Sequence, residues 1–178
     1  RAVAAGAGLG LAEMIASGVT CVADMYMHTG TIAEQILEAG ISANLSCGGV
    51  YFGAPEDFSP ETCGDCRNQA ALTEEWHGAG AGQILVDASV HGEYTSNPPL
   101  WRWMAEYAAE HRLGMHVHVS ETQSEHQASL ERWGKTPIQA LDGCGVWDCG
   151  RSLAAHCVYT TEEDWALMAE KGISCVHN

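Results

Sequence analysis

In "MHVHVSE", His116 and His118 alternate as side chains on one face of a strand do, and Glu121 follows the second histidine by three. If a strand ends near His118, an extended chain carries Glu121 at most about 10 Å farther, and less once it curls into a loop. An imidazole at that point can ligate a cation while the carboxylate reaches the cation's water. That division of labour suits hydrolysis, because the cation lowers the pKa of its water and the carboxylate moves protons between water and substrate. A hydrogen-bonded core histidine beside an exposed glutamate accounts for the same spacing. His116, two residues deeper on the same face, reads as a hydrogen-bonded interior residue rather than a ligand. His156 in "AAHC" is either a buried neutral imidazole or a group that orients or deprotonates the attacking water. His91 opens the polar stretch "SVHGEYTSNPPL", as a substrate contact or as a plain loop side chain.

The triplet "HGE" at His91–Glu93 matches the H-x-E of cytidine-type zinc deaminases, whose chemistry also needs P-C-x-x-C downstream. Here the C-x-x-C of Cys63 and Cys66 lies upstream, with Thr62 in the proline's place, so that chemistry is excluded. "TCGDC" (Cys63, Cys66) and "CGVWDC" (Cys144, Cys149) have unequal spacings that match no common zinc ribbon and are read as free loop thiols.

The elements that hold these residues follow one punctuation: a helical segment, a glycine, then a short apolar run. It recurs before "VTCVADMY", "ISANLSCGGV", "MHVHVS" and "ISCVHN", while "QILVDASV" and "SLAAHCVY" have the same strand character, about six strands in all. Thr31 with Glu34 and Thr160 with Glu163 fit capping boxes, Pro98 and Pro99 mark another helix start, and "NQAALTEEWHGAG" reads as a helix. Alternating strands and helices predict a parallel sheet with right-handed crossovers. His91, His118, His156 and His177 with Asn178 all fall at strand C-terminal ends. A barrel gathers such ends around one mouth, whereas an open sheet strings them along an edge; the barrel is therefore preferred, with six of its eight strands visible.

Composition narrows the partners. The 178 residues are 46% apolar and 17% charged, as in one folded unit, and eight Lys and Arg against 23 Asp and Glu give a formal charge of -15. Nucleic acid and anionic membrane surfaces are disfavoured as partners by that charge. No stretch approaches the roughly 18 apolar residues of a membrane span. The opening "RAVAAGAGLGLAEMIASG", interrupted by Glu13, is read not as a signal peptide but as an amphipathic helix on Leu9, Ala12, Ile15 and Ala16, ended by Gly18. Cys21, Cys157 and Cys175 lie in apolar runs, where a thiol is expected as a small buried hydrophobe; a reducing cytoplasm is the expected location.

Taken in order, "VTCVADMY", "VHGEYTS", "MHVHVSET", "LAAHC" and "ISCVHN" resemble the amidohydrolase superfamily, in particular its branch of 5-methylthioadenosine/S-adenosylhomocysteine deaminases and related chlorohydrolases. The resemblance spans nearly the whole chain. It implies a (β/α)8 TIM-type barrel, incomplete here, with residues 1–178 forming one partial domain that supplies strands two to seven. It implies that His118 is the metal ligand from strand five, Glu121 the proton shuttle, His156 the histidine that bonds the attacking water, and His91 a contact to the substrate's heterocycle. The implied reaction is hydrolytic deamination of an aminated heterocycle by a metal-activated water. One divalent cation, zinc or iron, is the implied cofactor, because binuclear members bridge two metals with a strand-four lysine and this chain has only Lys135 and Lys171.

Departures from the family pattern shape further expectations. The first-strand H-x-H pair and the eighth-strand aspartate would lie outside Arg1 to Asn178, so the chain is expected to be a fragment, inactive by itself, with unpaired edges that favour self-association into a homo-oligomer or aggregate. After "DMY", the sequence has His28, Thr29 and Gly30 where nucleoside-acting relatives carry a glutamate, and Arg67 alone is placed to meet an amino-acid carboxylate. The substrate is therefore left as an adenosine derivative or a related purine, pterin or triazine. Two alternatives stay open: amide or halide hydrolysis on the same site, and a truncated barrel that binds without turnover.

Overall fold

The computed structural model describes residues 1–178. In chain order it contains α1 (Ala2–Ala16), β1 (Cys21–Met25), α2 (Thr29–Ala39), β2 (Ser42–Ser46), α3 (Gly64–Trp76), the single turn α4 (Ala79–Gly82), β3 (Ile84–Val86), β4 (Ala88–Gly92), α5 (Pro98–His111), β5 (Met115–Val119), α6 (Gln123–Trp133), α7 (Pro137–Asp142), β6 (Ser152–His156), α8 (Glu162–Lys171) and β7 (Ile173–Val176). All strand pairings are parallel, in the orders β1-β2-β3 and β4-β5-β6-β7. The fold is α/β with parallel sheets, as the alternation of strands and helices requires.

The run "QILVDASV", expected as one strand, is two: β3 pairs with β2 and β4 with β5, and the break falls at Asp87. Hence there are seven strand segments instead of six. The chain past β2 crosses the break, since Gly49 pairs with Val90 and the Gly49 N–H donates to the Ser89 carbonyl. A Cβ on Gly49 would stand 2.9 Å from that carbonyl and 2.7 Å from Met104, so only glycine lets the backbones approach. Asp87 is fully buried, ion-paired to Arg151, and accepts the Gly114 N–H. It ties the break to the neighbouring strand.

Two apolar layers form. The larger packs Val90, Met115, Val117, Val119 and Ala154 against Leu100, Trp101, Met104 and Ala108 of α5 and Ile138 and Leu141 of α7; the smaller joins Leu11, Ile32, Ile36, Ala43, Leu45 and Ile84. In β5 the residues facing the helices are Met115, Val117 and Val119, so strand alternation turns His116 and His118 to the opposite face. Pro98 opens α5 as the sequence suggested, with a fixed φ and no N–H to leave unpaired.

Several local expectations are corrected. Helix α1 forms, but Leu9, Ala12, Ile15 and Ala16 are exposed, and Val3, Ala7 and Leu11 face the protein, because the face that docks is the one opposite α2. Thr31 caps nothing: the chain enters α2 two residues earlier, after His28 in a left-handed conformation (φ 61°). The later capping box sits one residue on, where the Thr161 side chain accepts the Asp164 N–H and the Asp164 carboxylate accepts the Thr161 N–H. Cys21 and Cys175 are exposed, since β1 and β7 each lack a neighbour on one side, and Cys157, just past the end of β6, is half-buried. Cys63 and Cys66 are free thiols as expected, but Cys66 lies in α3 and Cys63 just before it, both buried in the larger core, and burial pushes the Cys66 thiol far up. No helix is long and apolar enough to cross a membrane.

Candidate active site

His118 is the last residue on the face of β5 turned away from the helices, and parallel register sets Ala155 beside it and His156 beside Val119. His91 lies in β4, one residue before Gly92, which is the partner of His118. Three imidazoles therefore stand in a row, with ring centroids 5.2 Å apart for His91 and His118 and 5.4 Å for His118 and His156. Glu121 follows on the loop after β5, its Oε1 3.8 Å from Nε2 of His156. His118, Glu121, His156 and His91 are thus brought together at the C-terminal ends of the strands. His177 adds its Nδ1 at 3.0 Å from the His156 carbonyl but is itself exposed, and Asn178 is exposed as well.

The hydrogen bonds assign the tautomers. The Nδ1–H of His118 donates to the His91 carbonyl at 3.0 Å, so its Nε2 keeps a free lone pair, the arrangement in which a backbone oxygen orients a metal-binding histidine. Burial and the neighbouring His91 and His156 lower the His118 pKa, so the ring is neutral and able to ligate at neutral pH. The Thr95 hydroxyl donates to the Gly92 carbonyl; its oxygen therefore accepts from Nδ1 of His91 at 3.1 Å, leaving Nε2 of His91 as an acceptor. His116 is buried with Nδ1 2.9 Å from the Ser46 hydroxyl, and burial lowers its pKa to about 4. It is the hydrogen-bonded interior residue expected from its depth on the strand.

Backbone strain concentrates here. Ser120 (φ 54°), His156 (φ 77°) and Cys157 (φ 52°) are left-handed although none is glycine, at a cost of about 1–3 kcal/mol each. The two turns hold one another: Cys157 N–H donates to the Val119 carbonyl, and the Val158 and Tyr159 N–H groups both donate to that of Ser120. Glu125, absent from the sequence reading, is buried and accepts the Ser120 and Glu121 N–H groups, each at 2.8 Å. The signal for it was present, since Thr122 and Glu125 have the capping-box spacing and the Thr122 hydroxyl does accept the Glu125 N–H.

A cavity of about 700 Å³ opens beside His91 and is lined by Tyr26, His28, Cys47, Asp65 and Trp76 among others. It is large enough for a heterocycle with a substituent. Another hollow of about 510 Å³ lies between α1 and β1, is lined mainly by apolar side chains, and includes none of the histidines. The donor chemistry around His118, neutral imidazole with a carboxylate nearby, fits a divalent cation of the zinc type. No group of three or more His, Cys, Asp or Glu side chains gathers as a complete metal site, either here or at the cysteine pairs.

Residues 1–178 match the model of the amidohydrolase family. The chain is 36% identical over 173 residues to a 5-methylthioadenosine/S-adenosylhomocysteine deaminase of Halothermothrix orenii, covering 97% of this chain and 38% of that protein. It is 37% identical over 174 residues to the enzyme of the same name from Moorella thermoacetica, covering 97% and 39%. Among solved structures, an adenosine deaminase from Xanthomonas campestris with bound zinc superposes with a TM-score of 0.84 at 26% identity, over 98% of this chain and 39% of that one. Guanine deaminase from C. acetobutylicum shares the fold, with a TM-score of 0.82 at 17% identity over 96% and 42%. The chain spans about two fifths of the length of the curated relatives it matches.

Proposed function

This chain belongs to the amidohydrolase family, and from that premise we propose that it carries the central part of a metal-dependent hydrolase that removes the amino group of a heterocycle as ammonia. The observation that carries the reading is the single cluster of His118, His156 and Glu121, with His91 between it and the cavity. In this reading residues 1–178 form one partial domain, and their parallel strands are six staves of an eight-stranded barrel, the β3 and β4 segments making one stave.

His118 would hold the cation through Nε2, with the remaining ligands supplied from outside this chain. A zinc or iron ion, when bound, lowers the pKa of a water so that it attacks at neutral pH. Glu121 takes one proton of the attacking water and delivers it to the ring nitrogen, and the second proton of that water passes to the amino group, so that the carbon keeps the oxygen as a carbonyl and the amine leaves as ammonia. His156 holds that water by a hydrogen bond and keeps the Glu121 carboxylate facing it. His91 presents Nε2 as an acceptor to an N–H of the heterocycle, and the cavity beside it receives the substituent.

The names of the relatives point to an adenosine derivative as substrate, and other aminated rings are tested beside it. The deciding experiment incubates the zinc-loaded full-length protein that contains this chain with 5-methylthioadenosine, S-adenosylhomocysteine, guanine, an aminotriazine and a chlorotriazine, and measures ammonia and chloride. Release from at least one of them is expected. Chloride from a chlorotriazine without any ammonia would move the reading to halide hydrolysis, and no product from any of them would favour a barrel that only binds.

A further inference from the structure

Glu125 has no part in the chemistry above, yet its carboxylate is spent entirely on the backbone that carries Glu121. Its Oε1 accepts the Ser120 N–H and its Oε2 the Glu121 N–H, each at 2.8 Å, and the residue is 5% exposed. A carboxylate three residues into a helix ordinarily reaches back to the N–H of the capping residue. This one, capped by Thr122, reaches one and two residues beyond it.

The left-handed φ of Ser120 makes that reach possible, because it turns two successive N–H groups to the same side as a concave anion-binding nest. With the carboxylate in the nest, the strained turn is held; without it, two amides lose their acceptor and the turn is free to relax toward negative φ. The same turn offers the Ser120 carbonyl to the Val158 and Tyr159 N–H groups, just past His156. One carboxylate therefore braces both sides of the 3.8 Å approach between Glu121 and His156.

We propose that Glu125 is a positioning residue for Glu121, locking the turn at Ser120 so that the shuttle carboxylate stays within proton-transfer reach of the water beside His156. This rests on the role proposed above for Glu121. Proton transfer needs hydrogen-bond reach, so a displacement of about 1 Å, too small to unfold anything, has a large effect on rate. Binding of the heterocycle at His91 does not pass through this turn and is left alone.

Glu125→Gln separates positioning from mere support. Glutamine keeps the volume and one acceptor, but it turns an N–H₂ toward the other amide, so donor meets donor. In the zinc-loaded full-length protein, with 5-methylthioadenosine as substrate, Glu125→Gln is expected to lower kcat by about 10- to 100-fold, the range for residues that orient a catalytic group through a hydrogen bond. KM should stay within about twofold, and hydrogen exchange at the Ser120 and Glu121 amides should accelerate. Glu125→Asp, too short to span both amides, should do the same. A kcat within about twofold of wild type, with those amides exchanging faster, would overturn the proposal, as would a drop accounted for by loss of folded protein. Should the wild type spare 5-methylthioadenosine, the same comparison is made with whichever compound named above it deaminates; should it deaminate none, the reading of function fails instead, exchange then decides alone, and unchanged rates at Ser120 and Glu121 in Glu125→Gln would overturn the positioning role.

Discussion

Nε2 of His156 lies 3.8 Å from Oε1 of Glu121, although one residue ends β6 and the other follows β5. The pair meets because parallel register puts His156 beside Val119 and both chains then turn through left-handed residues toward each other. A carboxylate and an imidazole held this way can share the handling of one water.

If Glu121 is the proton shuttle, Glu121→Gln in the full-length protein lowers kcat by about 10²- to 10⁴-fold with little change in KM. Its side chain is 44% exposed, so the folded protein should keep its denaturation midpoint. Steady-state ammonia release reads the rate. Wild-type kcat in this variant would remove Glu121 from the mechanism.

His118→Ala should weaken zinc binding by more than about tenfold, because it deletes the imidazole beside Glu121 and His156 whose Nε2 is oriented and left free by its backbone hydrogen bond. The measure is metal content per chain after dialysis against graded chelator. Equal zinc retention in variant and wild type would assign the metal to other residues. Residues 1–178 alone, in which no group of three or more His, Cys, Asp or Glu side chains forms a complete metal site, should bind zinc weakly and turn nothing over.

His116 makes stability depend on pH. Its folded pKa is about 4 against an ordinary 6.5, so between these values the unfolded chain binds a proton that the folded chain refuses. Stability from this residue is therefore full above about pH 6.5 and declines as pH falls toward 4, by about 3 kcal/mol in total. His116→Asn should flatten urea-denaturation free energies between pH 7.5 and 4.5 relative to wild type. Parallel curves for the two proteins would show that the buried imidazole is not the cause.

Strands β1 and β7 each pair on one side only, with β2 and β6. Expressed by itself, the 1–178 segment should associate through these edges, giving particles larger than a monomer by light scattering at micromolar concentration. A monodisperse monomer would mean that the edges are protected in some other way.

Much of this was legible in the residues themselves. Glycine stops followed by short apolar runs marked the strands, Pro98 marked α5, and the alternation in "MHVHV" put His116 and His118 on one face. These signals are local, since each depends on the conformational preference of a few adjacent residues. The residues misled where one pattern fitted two neighbouring positions, as with Thr160 and Thr161 for one helix cap, or where a tertiary turn at His28 set the helix start ahead of Thr31.

What a chain cannot express locally is which surfaces meet. Whether Leu9 or Leu11 of α1 faces inward depends on where α2 and the sheet stand, and whether Cys66 is buried depends on how the segment after β2 folds back. The break at Asp87 follows from two different neighbours on its two sides. Sequence alone determined the strand–helix alternation and the histidines at the strand ends. Tertiary structure decided that those histidines stand about 5 Å apart, that His118 keeps Nε2 free, and that Glu125 grips the turn beneath Glu121, because register and hydrogen bonding between distant segments set distances that no spacing along the chain encodes.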